Sequence, residues 1–119
     1  MVKYDIYTYD ELTDSLFLAF PVEYEFKEVI ALEEEVLLEI DMNGRPRALE
    51  ILNASKNFNV SKESLSKVKK LEMLIEITNI QIMINVSLTL NTEQPVIVSE
   101  TVGNISNSPN TTESLAVSF

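Results

Sequence analysis

The chain has 119 residues, 45% of them hydrophobic, and this length suits one domain with a modest core. Lys and Arg number 9 against 19 Asp and Glu, so the formal net charge of −10 would repel a nucleic-acid backbone. The chain has no cysteine and no histidine, which excludes disulfides, thiolate nucleophiles and zinc-thiolate sites and removes the commonest metal ligand and proton shuttle.

The sequence gives no sign of a membrane segment or of a secretion signal. No apolar run approaches the roughly 20 residues that span a bilayer. The N-terminus, which reads MVKYD, lacks the apolar stretch of a signal peptide. We therefore expect a cytoplasmic protein without membrane contact, and no residue pattern indicates a cofactor.

The first elements are a Tyr-rich strand over residues 3–9 and an apolar strand over residues 15–20, joined by a polar turn. Asp10 and Asp14 flank this turn, and short Asp side chains stabilise turns by accepting backbone N–H bonds. A structural role is therefore the favoured interpretation. The alternative pairs Asp10 with Asp14 as acid and base, which requires a raised pKa in one of them.

The dipeptide Asn43-Gly44 is a strong signal for a two-residue hairpin loop of type I′, in which both loop residues take positive φ. This loop makes one face of the hairpin almost wholly apolar, whereas a one-residue slip would place glutamate opposite Val36. The predicted pairs are Val36 with Ile51, Leu38 with Leu49, and Ile40 with Arg47.

The other face of the hairpin gathers carboxylates. It carries Glu35, Glu39, Asp41 and Glu50, together with Ala48. A water-facing sheet surface is the favoured interpretation, and the alternative is a site for a hard cation such as Ca²⁺ or Mg²⁺. Asp41 also begins a pattern similar to a calcium loop, but Leu52 occupies the twelfth position, where such a loop closes with glutamate.

The strongest helix signal covers residues 62–70, with Ser61 as its N-cap and Leu65, Val68 and Leu71 at helical spacing. It lies in a basic stretch, because residues 54–70 contain five lysines and one acid. Lysines in the last turn favour a solvated, well-terminated helix.

Strict alternation of apolar residues predicts a second hairpin over residues 71–90, with the phase changing across Thr78-Asn79. We expect Ile77 opposite Ile80, although a two-residue and a four-residue loop keep the same face apolar. A last strand is expected at residues 95–99, after the connection at 91–94. Residues 104–119 are expected to form a mobile tail.

Two stretches resemble a known family. They read YDELTDSLFL at residues 9–18 and DMNGRPRALEILNAS at residues 41–55, and they are similar to the small prokaryotic domain of unknown function family 2283, whose extended members are mainly archaeal. The resemblance implies a fold and no activity. Where the family has Gly-Ile-Glu, this chain has Ala48-Leu49-Glu50. The matching positions are Tyr9, Asp10, Asp14, Leu16, Asn43, Gly44, Glu50, Ile51, Leu52, Ala54 and Ser55.

These elements predict an α+β, β-rich fold with about seven strands in one or two antiparallel sheets and one short helix. The expected organisation is a single globular domain over residues 1–103. It contains the family-like strands within 3–55, the helix at 62–70, and the second hairpin and last strand within 71–99.

Two classes of function remain open. The first is a non-catalytic binding or regulatory module that self-associates or binds a basic protein. The second is a carboxylate-based enzyme or cation-binding protein using Asp10, Asp14, Glu39, Asp41 and Glu50. The strand at 80–90 is long and free of charge, so its edge should be covered by residues 95–99, by residues 115–119 or, the favoured cover, by a second subunit.

Overall fold

The computed structural model describes residues 3–33, 35–90, 95–103 and 110–119. The chain forms two compact units, residues 1–54 and 55–119. The single domain expected over residues 1–103 stays a prediction. Neither helix in the described parts of the chain has the length and apolar character that a membrane span requires.

The fold is β-rich and its sheets are antiparallel, as the sequence predicts. The described residues form nine strands, where about seven were expected. The strands Phe26–Glu33 and Thr111–Ser118 were not predicted, because they lie at sheet edges and their hydrophobic alternation is weak. The elements are β1 (Tyr7–Asp10), β2 (Ser15–Ala19), β3 (Phe26–Glu33), β4 (Val36–Asp41), β5 (Pro46–Ile51), α1 (Ala54–Phe58), α2 (Lys62–Leu65), β6 (Lys70–Ile77), β7 (Gln81–Thr89), β8 (Pro95–Gly103) and β9 (Thr111–Ser118).

The first sheet has the strand order β1-β2-β5-β4-β3. Leu18 lies opposite Leu49, which lies opposite Leu38, and all three side chains have no exposed surface. These residues define the inner face of the sheet. The opposite, outer face carries Phe17 and the alternate residues of β4 and β5.

The hairpin register is confirmed for two of the three predicted pairs, Val36 with Ile51 and Leu38 with Leu49. The third pair is wrong, because Ile40 lies opposite Pro46 and not Arg47, and a bulge separates it from the pair before. The bulge adds one residue, Arg47, to β5. It accommodates a loop that is longer than the predicted one and leaves the apolar face of β5 unchanged.

The type I′ turn is also wrong. In the turn of β4 and β5, the N–H of Gly44 donates to the carbonyl of Asp41 at 3.0 Å. Gly44 has a φ of 78°, whereas Asn43 is not among the residues with positive φ. A turn that has one glycine in the left-handed region and is followed by a bulge is the common alternative to the two-residue hairpin loop.

The helix expected over residues 62–70 is shorter. Ser61 caps α2 as predicted, accepting a bond from the N–H of Ser64 at 3.2 Å, but α2 ends at Leu65. Lys70 begins β6, where it pairs with Thr89. Pairing within the sheet therefore overrides the helical spacing of Val68 and Leu71.

Helix α1 was not predicted, and an asparagine ends it. Asn59 has a φ of 57°, a conformation that asparagine tolerates better than most residues. Its N–H donates to the carbonyl of Lys56 at 3.1 Å, and the N–H of Val60 donates to Ser55 at 2.9 Å. These two bonds satisfy the last carbonyls of the helix in a Schellman-type ending.

The second sheet has the strand order β8-β7-β6-β9. In its central hairpin Ile77 lies opposite Ile82 and not opposite Ile80, so of the two loops left open the four-residue one is formed, and the apolar face is the predicted one. The reason is Thr78, whose hydroxyl accepts from the N–H of Gln81 at 3.1 Å and of Ile80 at 3.3 Å. Ile80 consequently lies in the turn and is 65% exposed.

The mobile tail expected over residues 104–119 is wrong for residues 111–118, which form β9 along the whole of β6. Residues 104–109, and the connection expected at 91–94, lie outside the described residues. Strand β7 has β6 on one side and β8 on the other. A dimer through β7 is therefore wrong, because the chain itself covers both edges of that strand.

The turn geometry predicts that Gly44 and Asn43 differ in their tolerance to substitution. Gly44→Val places a β-branched residue at positive φ and should lower the free energy of unfolding by about 1–3 kcal/mol. Asn43→Ala keeps a negative φ and the backbone N–H, so it should change this energy by less than about 0.5 kcal/mol. Urea unfolding of both variants measures the difference. Equal losses would contradict this turn.

Candidate functional site

The Asp10–Asp14 segment is a hydrogen-bonded turn. One carboxylate oxygen of Asp10 accepts from the N–H of Leu12 at 2.9 Å and of Thr13 at 3.4 Å. Asp14 has a φ of 54°, is 8% exposed and accepts from the hydroxyl of Tyr9 at 2.6 Å. Burial, and then the bond to Asp14, raise the pKa of the Tyr9 hydroxyl. Both carboxylates thus hold the turn together.

The two family-like stretches meet at this turn. The N–H of Ala54, whose side chain is fully buried, donates to the carbonyl of Asp14 at 2.9 Å. Leu16 lies opposite Ile51, and both have no exposed surface. The N–H of Leu52 donates to the carbonyl of Glu35 at 2.8 Å. These contacts give Asp14, Leu16, Ile51, Leu52 and Ala54 a structural role in the first unit.

Asp41 is enclosed by donors from its own hairpin. The residue is 3% exposed, and its carboxylate accepts from the N–H of Asn43 at 2.8 Å, the N–H of Arg45 at 3.0 Å and the Nε of Arg47 at 2.7 Å. Burial alone would raise the pKa of this carboxyl. The backbone bonds and the Arg47 guanidinium outweigh burial and hold the pKa below its usual value.

Glu39 and Glu50 share the outer face of the first sheet. Leu37 lies opposite Glu50 and Glu39 lies opposite Ala48, so the two glutamates are diagonal neighbours across β4 and β5. Together with apolar side chains they line a concavity of about 130 Å³. Its lining residues are Phe17, Val29, Leu37, Glu39, Ala48 and Glu50.

Aromatic side chains border this concavity. The rings of Tyr4 and Phe17 meet edge to face, with centroids 4.8 Å apart, and those of Tyr4 and Tyr24 are 6.4 Å apart. The hydroxyl of Tyr24 donates to Glu39, and burial, followed by this bond, raises the pKa of Tyr24. Val29 is 50% exposed. We call the set Tyr4, Phe17, Tyr24, Val29, Leu37, Glu39 and Glu50 the aromatic-acidic surface, in which Tyr24 is a buried member at 4% exposure.

The carboxylates suggested by the sequence as cation ligands are therefore spread over three places. Asp10 and Asp14 lie in the first turn, Asp41 lies in the hairpin turn, and Glu39 and Glu50 lie on the aromatic-acidic surface. Glu35 accepts instead from the amide of Asn53 at 3.0 Å. In the described parts of the chain, no three carboxylates group closely enough to hold a metal ion.

Sequence reasoning missed the aromatic members of this surface. Phe17 could have been found, because it alternates with Leu16 and Leu18 and must therefore point away from the apolar face. Tyr4 and Tyr24 could not, because neither lies within the nine strands and their positions depend on contacts with other parts of the first unit.

The geometry is that of a small antiparallel β-protein with a solvent-facing surface of rings and carboxylates. The chain matches the family described as "Protein of unknown function (DUF2283)" over residues 6–55, and it belongs to this family. The matched range contains both stretches on which the resemblance was based, residues 9–18 and 41–55.

Two archaeal proteins are similar to the chain. An uncharacterized protein of Methanocaldococcus jannaschii is 40% identical over 70 residues, which are 58% of this chain and 60% of that protein. A Methanosarcina mazei protein named "Putative hypoxanthine phosphoribosyltransferase" is 32% identical over 91 residues, 76% of this chain and 70% of that protein. The chain thus spans about three fifths of the first relative. No solved structure matches it.

The lowered pKa of Asp41 predicts how stability depends on pH. Because the pKa of the folded state lies below the unfolded value of about 3.9, the stabilisation is present above about pH 4 and is lost as the pH falls through the folded value. Asp41→Asn should therefore flatten the acid side of the stability curve below about pH 4. Urea unfolding at a series of pH values measures this, and an unchanged slope would contradict it.

We also predict that divalent cations leave stability almost unchanged. A cation bound at a hundred times its dissociation constant would add about 2.7 kcal/mol to the free energy of unfolding. Melting curves with and without Ca²⁺ or Mg²⁺ should coincide, since the candidate carboxylates are dispersed or already hydrogen-bonded. A clear rise in Tm that Glu50→Gln abolishes would reveal a site at the aromatic-acidic surface.

Proposed function

We propose that the protein is a non-catalytic binding module whose aromatic-acidic surface binds a basic, extended segment of a protein partner. The single observation that carries this proposal is the concavity of about 130 Å³, where Glu39 and Glu50 lie beside Phe17, Val29 and Leu37 on a solvent-facing sheet. Two carboxylates beside apolar side chains are suited to a ligand that is cationic at one end and apolar along its length.

Lysine and arginine side chains have this chemistry. Their methylene stems pack on apolar surface while the charged group stays accessible to a carboxylate. Glu39 and Glu50 can each accept a charge-assisted hydrogen bond, and the nearby rings of Phe17 and Tyr4 attract a cation placed over their faces. No cation of the described chain forms an ion pair with Glu50.

The size and charge of the surface support a protein partner over a small molecule. Pockets for drug-sized ligands measure roughly 300–1,000 Å³, well above this concavity, whereas a partner chain can place a single side chain in it. The net charge of −10 would also speed the approach of a basic partner and would oppose a phosphate group.

The name of the Methanosarcina mazei relative raises a second candidate, phosphoribosyl transfer. Proteins bind phosphate groups mainly with Lys, Arg and glycine-rich loops that open onto helices. This chain has 2 glycines, and carboxylates line the concavity. The observations therefore support the binding module better than this enzyme, and better than a carboxylate-based enzyme using Asp10 and Asp14.

The proposal predicts binding of a blocked peptide with alternating lysine and valine. Titration followed by amide chemical shifts should perturb Phe17, Glu39 and Glu50, and the affinity should fall as salt rises. Glu50→Gln should weaken binding about fivefold, equivalent to about 1 kcal/mol for one exposed ion pair. Glu11→Gln removes the same charge from an exposed position in the first turn and should have a smaller effect.

Three outcomes would contradict the proposal. They are equal losses in Glu50→Gln and Glu11→Gln, shift changes confined to the second unit, and equal binding of a peptide in which glutamate replaces lysine. Binding of hypoxanthine together with turnover of a phosphoribosyl donor would favour the second candidate instead.

A further inference from the structure

The two sheets have four outer strands, and three of them carry features that discourage pairing with another chain. β1 has only 4 residues. β3 has two register shifts and the charged residues Lys27, Glu28 and Glu33. β8 begins with Pro95. Short length, bulges, charges and proline are the usual protections of sheet edges.

Strand β9 has almost none of these protections. It runs for 8 residues, TTESLAVS, without proline, lysine or arginine, and it pairs with β6 without a register shift. No strand of the described chain lies on its other side. A regular, nearly neutral edge of this length is a template for another strand.

The hydrogen bonding to β6 shows which residues of β9 face outward. The N–H of Phe119 donates to the carbonyl of Lys69 at 2.9 Å on the β9 side of β6. On the other side, the N–H of Thr78 donates to the carbonyl of Gln81 at 2.9 Å, so Thr78 and Gln81 form a hydrogen-bonded pair and the even-numbered residues of β6 bond to β7. Such pairs recur at every second residue of an antiparallel ladder. The odd-numbered residues 111–117 therefore bond to β6, and the N–H and C=O groups of Thr112, Ser114, Ala116 and Ser118 point away from it.

The apolar side chains of β9 are less buried than those of β6. Leu71 and Met73 of β6 are 0% and 2% exposed, whereas their neighbours in β9, Val117 and Leu115, are only half-buried. A further strand beside β9 would cover more of these two side chains.

We propose that β9 pairs with β9 of a second copy of this chain, antiparallel and around a two-fold axis at Leu115. In this register the residues that face outward form hydrogen-bonded pairs over the full strand. The hydrogen-bonded pairs are Thr112 with Ser118 and Ser114 with Ala116, each occurring twice, and Leu115 lies opposite its own copy at a non-hydrogen-bonded position. Two four-stranded sheets would then form one sheet of eight strands.

The sequence of β9 favours a copy of itself over a different partner. Each outward-facing pair joins two small, uncharged side chains, so neither strand offers a charge or a large pocket that would select a foreign sequence. The one charged residue, Glu113, lies opposite Val117 of the other copy. The two Glu113 residues are offset by four residues, about 13 Å along the strand, which exceeds the screening length at physiological salt.

The first experiment is light scattering of the full chain over a dilution series. We expect a mass of twice 13.5 kDa at high concentration, falling towards the monomer on dilution. A monomer mass at every concentration would overturn the proposal. The proposal would then be wrong even if a different protein pairs with this edge.

A matched pair of variants tests the register. Ser114→Lys with Ala116→Lys sets lysine opposite lysine across the two-fold axis, so this double variant should be monomeric. Ser114→Glu with Ala116→Lys sets glutamate opposite lysine twice and should remain a dimer. In both, the new lysine at 116 lies beside Glu72 of β6, which favours folding. If both variants have the same mass, β9 is not the interface.

Hydrogen exchange of the wild-type chain gives a readout that needs no variant to fold. The amides of residues 112, 114, 116 and 118 should become protected as the protein concentration rises, because they gain partners only in the dimer. The amides of residues 113, 115 and 117 bond to β6 and should be protected at every concentration. Rapid exchange of the first set at concentrations where the mass is dimeric would overturn the proposal.

Discussion

The buried carboxylate of Asp41 is the interaction on which the first unit depends. It accepts from the backbone of Asn43 and Arg45 and from the side chain of Arg47, and so fixes both the length of the turn and the start of β5. The bulge at Ile40 follows, because a loop lengthened by one residue would otherwise rotate every side chain of β5 to the wrong face. Removing one partner from such an enclosed ion pair typically costs about 3–5 kcal/mol.

The same register creates the surface on which the proposed function rests. Once Leu38 lies opposite Leu49 on the inner face, alternation places Glu39 and Glu50 on the outer face as diagonal neighbours. The carboxylate at 41 stabilises the turn, and those at 39 and 50 remain on the side that faces solvent. Asp41 therefore has a different role from Glu39 and Glu50, although all three belong to the same hairpin. The difference follows from burial, since Asp41 is 3% exposed and the two glutamates are half-buried.

The sequence predicts well where burial is strong and local. The pairs of Val36 with Ile51 and Leu38 with Leu49 follow from apolar alternation beside a turn, and the apolar face of β6 and β7 follows in the same way. The geometry of the two hairpin turns was not predicted, because the side chains of Asp41 and Thr78 accept hydrogen bonds from backbone N–H groups. Hydrophobic alternation gives no indication of such bonds. The edge strands β3 and β9 were missed since few of their residues are buried. The aromatic side of the candidate site depends on contacts, such as Tyr4 with Phe17, that have no sequence signal.

The central position of β6 has a consequence for the order of folding. β6 meets β7 through a short turn, so closing that pair costs little chain entropy, whereas Lys70 meets Ser118 only after the intervening chain has closed a long loop. Contacts between residues distant in sequence slow folding. During synthesis β6 also leaves the ribosome well before β9, so one edge of an apolar strand stays open until the final part of the sheet arrives. The interval between the emergence of β6 and that of β9 is the period in which the nascent chain is most prone to aggregation.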